Sequence, residues 1–146
     1  MRRAACGALA LMLCTTCAVA QGLEYRLEKE RGRAFAWADG KDKFFHELPF
    51  MTGRDFAKVV VVPAKNPNLP GTYNVEIAHS ATGKAKFSAV ADADRERSYC
   101  VIFREIIRAC SGFAPAMKQI YNGGIVFGLS KADAETLARE INALLR

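Results

Sequence analysis

The sequence predicts an α+β fold, with a mainly antiparallel sheet covered on one face by two helices. Three observations lead to this prediction. Short runs that alternate apolar and polar residues, or that are rich in β-branched residues, recur along the chain and are typical of strands. Two segments with apolar residues at helical spacing follow residues that can cap a helix. The connections are short and rich in turn residues, which favours hairpins over long crossovers.

The first twenty residues are predicted to be a secretory signal peptide. Arg2-Arg3 precedes an apolar run from Ala8 to Leu13, and Ala18-Val19-Ala20 supplies small residues for cleavage after Ala20. The apolar run is too short to span a bilayer. Cys14 and Cys17 leave a lipoprotein alternative open, although the residues before them suit that processing poorly. We therefore expect a periplasmic or secreted protein.

Composition places the remainder in one domain. The chain has 146 residues, so cleavage leaves 146 − 20 = 126, which suits a single domain over residues 21–146. Loss of two arginines leaves 21 − 2 = 19 basic residues against 15 acidic ones, a net charge of +4. The basic residues are dispersed, which favours a solvated surface over a nucleic-acid site. No second apolar stretch reaches the ~18 residues that a spanning helix needs.

The N-terminal part of this domain predicts short strands. Leu23–Glu28 and Ala34–Ala38 alternate apolar and polar residues on either side of Gly32, which indicates a small hairpin. Phe44–Phe50 is apolar and contains a proline, so it indicates a short strand or a packed connector. Thr52 can cap a single helical turn that leads to Phe56.

Two stronger strand signals follow. Val59–Val62 is a β-branched run bounded by a proline, and Asn66–Gly71 has the composition of a loop. Tyr73–His79 then alternates regularly. The residues expected to share one face of this strand are Tyr73, Val75, Ile77 and His79.

Two helices are predicted. Ser80 or Thr82 can cap the first, which carries apolar residues up to Ala91 and ends in the charged stretch Asp92–Arg97. Ser130 can cap the second by accepting a hydrogen bond from the Asp133 amide. The apolar residues of this second helix fall on one face: Ala134, Leu137, Ala138, Ile141, Leu144 and Leu145.

Cys100 and Cys110 are the cysteines that remain after the predicted cleavage, and each lies in a strand-like run. An even pair in an oxidising compartment predicts a disulfide, which stabilises by roughly 2–3 kcal/mol. A three-residue loop, Arg104–Ile106, would set the two cysteines opposite each other on a hairpin. A two-residue loop would instead pair Tyr99 with Cys110. Two buried free thiols remain the alternative.

No catalytic, metal or cofactor site is predicted. His46 and His79 have no nucleophile motif nearby, which favours surface or capping roles. Asp92-x-Asp94-x-Glu96 lacks the glycine turn of a calcium loop and indicates a solvated helix end. A metal bound by the two cysteines would need further ligands at suitable spacing.

Asn122-Gly123-Gly124 is a candidate binding turn. Exposed backbone amides there could bind an anion or a peptide. The alternative is a turn that needs positive φ angles, which asparagine and glycine adopt readily. The two interpretations are compatible. Aromatic residues concentrate before residue 60, where most would be core and some could line a groove for an extended chain.

Several motifs from Met51 onward resemble the periplasmic head region, the P1 head, of the SecD/SecDF protein-export subunits. Met51–Asp55 is similar to that family's Leu-Thr-Gly-x-Asp motif, and Gly83 with Phe87 is similar to its Gly-x-x-x-Phe helix. Gly123–Ala138 follows its closing pattern, Gly-x-Ile-x-x-Gly-Phe-Thr-x-x-Glu-Ala-x-x-Leu-Ala. Arg104-Glu105 departs from the family's usual Asp-Gly turn. The transmembrane helices of the export subunits have no counterpart in this sequence.

The resemblance implies a fold and a class of partner. It implies a non-enzymatic periplasmic module that binds protein or extended polypeptide and assists exported chains, while the translocation motor does not carry over. The alternative is a secreted inhibitor or adaptor of a cell-envelope enzyme or complex, with the disulfide-braced hairpin as a wedge. A hydrolase with a degenerate site is disfavoured by the two histidines. No nucleic acid, membrane span or cofactor is expected, and no oligomeric state is predicted.

Overall fold

The described part of the chain, residues 22–113 and 123–145 of the computed structural model, contains eight strands, two α-helices and one short 3-10 helix, Gly53–Asp55, so the α+β class is confirmed. The 3-10 helix is the single helical turn predicted after Thr52. The elements are β1 Leu23–Trp37, β2 Asp42–Phe45, β3 Met51–Thr52, β4 Phe56–Pro63, β5 Tyr73–His79, α1 Ala81–Ala93, β6 Ser98–Phe103, β7 Ile106–Gly112, β8 Gly123–Leu129 and α2 Lys131–Leu144.

The strands form two sheets. The larger, sheet A, has the order β2-β1-β6-β7 with β3 paired to β1, and the smaller, sheet B, has the order β4-β5-β8. Near its end β1 also pairs in parallel with β7, so sheet A closes on itself. The predicted single sheet is thus divided into two. The reason is that β1 pairs with both β6 and β7 and leaves β4, β5 and β8 to pair with one another.

Strand β1 corrects the predicted N-terminal hairpin. Leu23–Glu28 and Ala34–Ala38 do not pair with each other, because both belong to or border this one long strand. A bulge divides β1, since Glu28 and Arg33 both lie opposite Phe45 of β2. Gly32 lies in the bulge, where a Cβ would overlap the Phe45 carbonyl oxygen. The glycine therefore allows a close approach of β2 and does not end the strand.

The main core lies between the two sheets and the helices. Tyr25 and Val101 of sheet A cluster with Val75 and Ile77 of sheet B and with Phe87 of α1. Residues on the opposite face of sheet A form a second, smaller core: Phe35, Phe45, Cys100, Ile102 and Ile107. Both faces of sheet A therefore carry buried apolar residues.

The first helix begins as one of the two predicted alternatives. The Ser80 hydroxyl accepts a hydrogen bond from the Gly83 amide at 3.1 Å, so Ser80 is the cap and Thr82 is not. Gly83 packs closely against the 3-10 helix Gly53–Asp55, and a Cβ on Gly83 would overlap the Asp55 carbonyl oxygen. Asp55 is itself buried and accepts hydrogen bonds from the Thr52 amide and from Lys86 Nζ, both at 2.9 Å.

The second helix agrees with its prediction except at the end. Ser130 Oγ accepts from the Asp133 amide at 3.1 Å, which confirms the predicted cap. The first four residues of the predicted apolar face are buried: Ala134, Leu137, Ala138 and Ile141. Leu144 is 49% exposed, because the buried stripe ends one turn before the helix does.

A buried ion pair fixes the connection after β2. Arg26 Nε lies 2.6 Å from Glu24 Oε1, and both side chains are buried. Arg26 Nη1 also donates to the carbonyl oxygens of His46 and Glu47, at 2.7 and 2.6 Å. The charged pair is therefore fully hydrogen-bonded, as buried charges require. The next residue, Leu48, is 81% exposed.

Candidate functional site

The structure joins Cys100 and Cys110 in a disulfide between directly opposed positions on β6 and β7. The three-residue loop predicted for this hairpin is wrong. The strands are joined by two residues, Arg104 and Glu105, whose φ angles are 50° and 63°. Positive φ at both positions is typical of a two-residue hairpin turn, although glycine or asparagine usually occupies it.

A bulge in β7 explains how a two-residue loop still aligns the cysteines. Ile102 pairs with Ile107, but Val101 pairs with Ala109, so Arg108 is an extra residue. The extra residue shifts the register by one and brings Cys110 opposite Cys100 instead of Tyr99. Sequence reasoning about loop length could not detect this compensation.

The disulfide lies beside a carboxylate. Cys100 is fully buried, and its sulfur lies 3.3 Å from Glu28 Oε1, which also contacts Lys43 Nζ at 2.7 Å. Among the described residues, Glu28 and the two cysteines form the group whose potential metal-ligand atoms lie within 4.8 Å of one another. Because the sulfurs are bonded to each other, they are not the thiolates that bind metal ions.

The hairpin is an internal part of sheet A. β6 lies between β1 and β7 and is buried from Tyr99 to Phe103. Charged neighbours contact the turn, since Arg104 Nη1 lies 2.9 Å from Glu140 and Arg33 Nη2 lies 2.7 Å from Glu105. Burial of β6 between β1 and β7 does not support use of the hairpin as a protruding wedge.

Gly123 and Gly124 are the first residues of β8, opposite Ala78 and Ile77 of β5, and do not form a turn with positive φ. Asn122 lies outside the described residues, as does the predicted cleavage site. A Cβ on Gly123 would overlap the Ile77 carbonyl oxygen, and a Cβ on Gly124 would overlap the Tyr25 hydroxyl. Close packing therefore accounts for both glycines, and their binding role stays a prediction.

The two histidines have different environments. His79 is 4% exposed, so the predicted surface role is wrong for this residue. Its imidazole Nε2 lies 3.3 Å from the Tyr25 hydroxyl, and its ring packs against Phe56 and Phe87. The aromatic partners come from distant elements, which sequence periodicity alone does not reveal. His46 is half-buried, with Nε2 2.8 Å from Arg97 Nη1.

The charged stretch at the end of α1 is solvated, as its sequence predicts. Asp92 pairs with Arg95 at 3.3 Å and Asp94 pairs with Arg97 at 3.2 Å. In each pair the two residues are three positions apart in sequence, and all four side chains are at least 31% exposed. They are typical of a helix end and not of a calcium loop.

The outer face of sheet B is the side that the helices leave open, because the buried residues of α2 cluster with the opposite face. Val60 and Phe127 on this outer face are 39% and 60% exposed. Val60 is opposite Glu76, and Glu76 is opposite Ile125, so these three side chains form a row across all three strands on the outer face. The outer face comprises Lys58, Val60, Val62, Asn74, Glu76, Ala78, Ile125 and Phe127.

Asn142 of α2 hydrogen-bonds to β4, the edge strand of sheet B. This contact was not predicted from the sequence. The Val59 amide donates to Asn142 Oδ1 at 3.0 Å, and Asn142 Nδ2 donates to the Val59 carbonyl oxygen at 2.8 Å. The available signal was an asparagine within a helix, a residue type that destabilises helices and is favoured where its carboxamide bonds elsewhere.

Comparison with solved structures shows a SecDF-like fold. One SecDF crystal structure, in a super-membrane-facing form, superposes with a TM-score of 0.61 and 18% identity, covering 86% of this chain and 19% of that one. A second, described as a membrane component SecDF that enhances protein export, gives a TM-score of 0.60 and 18% identity, covering 85% and 61%. This chain thus spans less than two thirds of either.

Two further comparisons add no family assignment. No protein-family model and no curated protein matches this chain. Within residues 22–113 and 123–145, neither helix has the length and apolar composition needed to cross a membrane.

Proposed function

We propose, on the premise of its SecDF-like fold, that this chain is a periplasmic module related to protein export, which binds extended polypeptide and performs no catalysis. The observation that carries the proposal is the likeness to SecDF structures, one of which is described as enhancing protein export. The proposal takes residues 21–146 as one domain. It takes the export signal at residues 1–20, with cleavage after Ala20, from the sequence.

The outer face of sheet B is the surface proposed to contact unfolded chains. Exposed Val60 and Phe127 offer apolar contacts, while neighbouring Lys58 and Glu76 keep the surface hydrated. Apolar side chains beside a sheet edge are a common means of capturing extended segments, because pockets between them accept alternate side chains. Such contacts have little sequence specificity, which suits a protein that meets many exported chains.

A binding titration with variants tests this surface. A fluorescently labelled, permanently unfolded secretory protein, reduced and alkylated, is titrated with the wild type and with a Val60→Ser/Phe127→Ser variant. Loss of the two apolar contacts should weaken binding about tenfold. Leu48→Ser is the matched control, because Leu48 is equally apolar and more exposed but lies in the connection after β2.

The outcomes separate the proposal from its rival. Equal weakening by Leu48→Ser would mean that binding follows general surface hydrophobicity, which contradicts the assigned face. Failure to bind the unfolded protein, together with capture of one stoichiometric folded partner from periplasmic extract, would favour an inhibitor or adaptor.

A further inference from the structure

We infer that the outer edge of β4 accepts an extended polypeptide segment as an added strand, and that Asn142 occupies this edge until such a segment binds. The inference rests on the proposed function, polypeptide binding, and deepens it by adding a mode of binding at the edge strand that borders the outer face of sheet B. The kind of partner is a segment in β conformation, recognised mainly through its backbone.

Asn142 satisfies both outward backbone groups of Val59. The Val59 N–H donates to Asn142 Oδ1 at 3.0 Å and the Val59 carbonyl accepts from Asn142 Nδ2 at 2.8 Å. A carboxamide has the same donor and acceptor as a peptide group. Asn142 therefore makes with β4 the two hydrogen bonds that a neighbouring strand would make.

The other outward backbone groups on the edge of β4 belong to Val61 and Pro63. In an antiparallel ladder alternate residues direct their backbone groups to the same side, and Val59 and Val61 lie opposite Ile77 and Val75. The backbone groups of Val61 therefore point away from β5, as those of Val59 do. No hydrogen bond from a described side chain caps them. Pro63 ends the strand and offers no N–H.

The open edge is consequently short. Among the residues that the structure describes, Val61 alone offers both backbone groups on this edge while Asn142 is in place, and departure of Asn142 adds those of Val59. The side chain thus competes directly with an incoming strand, and its displacement determines how many backbone hydrogen bonds the segment can form.

The flanking charges identify the occupant. Exposed Lys58 and Lys65 flank the edge on both sides. If two copies paired antiparallel about Val61, Lys58 of one copy would lie opposite Ala64, next to Lys65 of the other copy, and Pro63 would face Val59. Like charges on adjacent strands and a missing donor disfavour that pairing. An extended apolar segment with acidic residues at its ends suits the same edge.

The test uses a short peptide of alternating valine and threonine with an aspartate at each end. Its matched control is the same peptide N-methylated at every valine and threonine, which keeps its side chains and loses the backbone donors of both edges. We expect the plain peptide to shift the amide NMR signals of Val59 and Val61 in the ¹⁵N-labelled protein. The N-methylated peptide should lose this effect.

A pair of variants tests the role of Asn142. Asn142→Ala should bind the plain peptide about tenfold more tightly than the wild type, because two competing hydrogen bonds are gone. Arg139→Ala, an exposed position on the same helix, should leave the affinity unchanged. If Asn142→Ala does not fold, the comparison of the two peptides with the wild type still decides.

Each outcome bears on the inference. Equal binding of both peptides, or an affinity unchanged by Asn142→Ala, would overturn edge pairing and leave polypeptide binding standing. Absence of plain-peptide binding by both proteins would also overturn edge pairing. The unfolded secretory protein would then show separately whether the proposed function survives.

Discussion

The contact between Gly124 and Tyr25 shows how single residues position sheet B on sheet A. The Tyr25 ring is fully buried and packs against Phe56, His79, Phe87 and Tyr99. Its hydroxyl lies where a Cβ of residue 124 would be. The glycine thus allows β8 to approach the central aromatic ring of the core.

We predict that Gly124→Ala is destabilising by about 2–3 kcal/mol, because overpacking forces the buried ring or the strand to move. The measurement is the free energy of unfolding in denaturant. Gly112→Ala is the control, because a Cβ at that position meets no atom within 4 Å among the described residues other than its chain neighbours, so its cost should be small.

Removal of the hydroxyl isolates the cause. Tyr25→Phe leaves the ring and deletes the atom that the new methyl group would meet. Gly124→Ala should therefore cost less in the Tyr25→Phe background than in the wild type. Equal costs in the two backgrounds would mean that the glycine serves another purpose.

Burial of Tyr99 predicts a loss of stability at alkaline pH. Desolvation raises the pKa of Tyr99 to about 12, and burial also raises the pKa of Tyr25 well above its usual value. The folded protein keeps a phenol proton that the unfolded chain releases above pH 10. The free energy of unfolding is thus unaffected below pH 10 and falls as pH rises towards 12.

For Tyr99 the loss should reach about 3 kcal/mol over that interval. Denaturant unfolding at intervals from pH 8 to pH 12 measures it, with Tyr99→Phe as the comparison. The phenylalanine variant should show a shallower decline. A decline identical to that of the wild type would rule out Tyr99 as its source.

At the scale of elements, the β6–β7 hairpin carries a strained turn. Arg104 and Glu105 both have positive φ angles, which cost non-glycine residues of order 1 kcal/mol or more each. Their ion pairs with Glu140 and Arg33 are exposed and recover little of this cost.

We therefore predict that Arg104→Asn/Glu105→Gly raises the free energy of unfolding by about 1 kcal/mol, because asparagine and glycine adopt this turn readily. Thermal and denaturant unfolding measure the change. Glu140→Gln in the wild type is the control for loss of the Arg104 pair alone. No gain in the double variant would mean that the ion pairs offset the strain.

The elements also show what a sequence can predict. β5 and α2 were predictable because each carries its own signal, a regular alternation in one and a cap with an apolar stripe in the other. β1 was predicted as two strands because Gly32 looks like a break, although its purpose is contact with Phe45. The Arg108 bulge and the burial of His79 depend on partners far away in sequence.

In the whole molecule, two sheets and two helices share the main core, and among the described residues this arrangement leaves one face of sheet B and the outward backbone groups of Val61 on the β4 edge uncovered. Cys100 of the disulfide and Gly124 of the predicted turn are both buried. The candidate binding surface therefore lies away from the disulfide, the feature that the sequence made most conspicuous. Sequence patterns identified the framework, whereas an open surface becomes visible only when the elements are assembled.

One titration tests the central claim most directly. A secretory protein that can be held either folded or permanently unfolded is labelled with a fluorophore, and its anisotropy is followed as this module is added. The account predicts saturable binding of the unfolded form and none of the folded form. Binding of neither form, or equal binding of both, would contradict it.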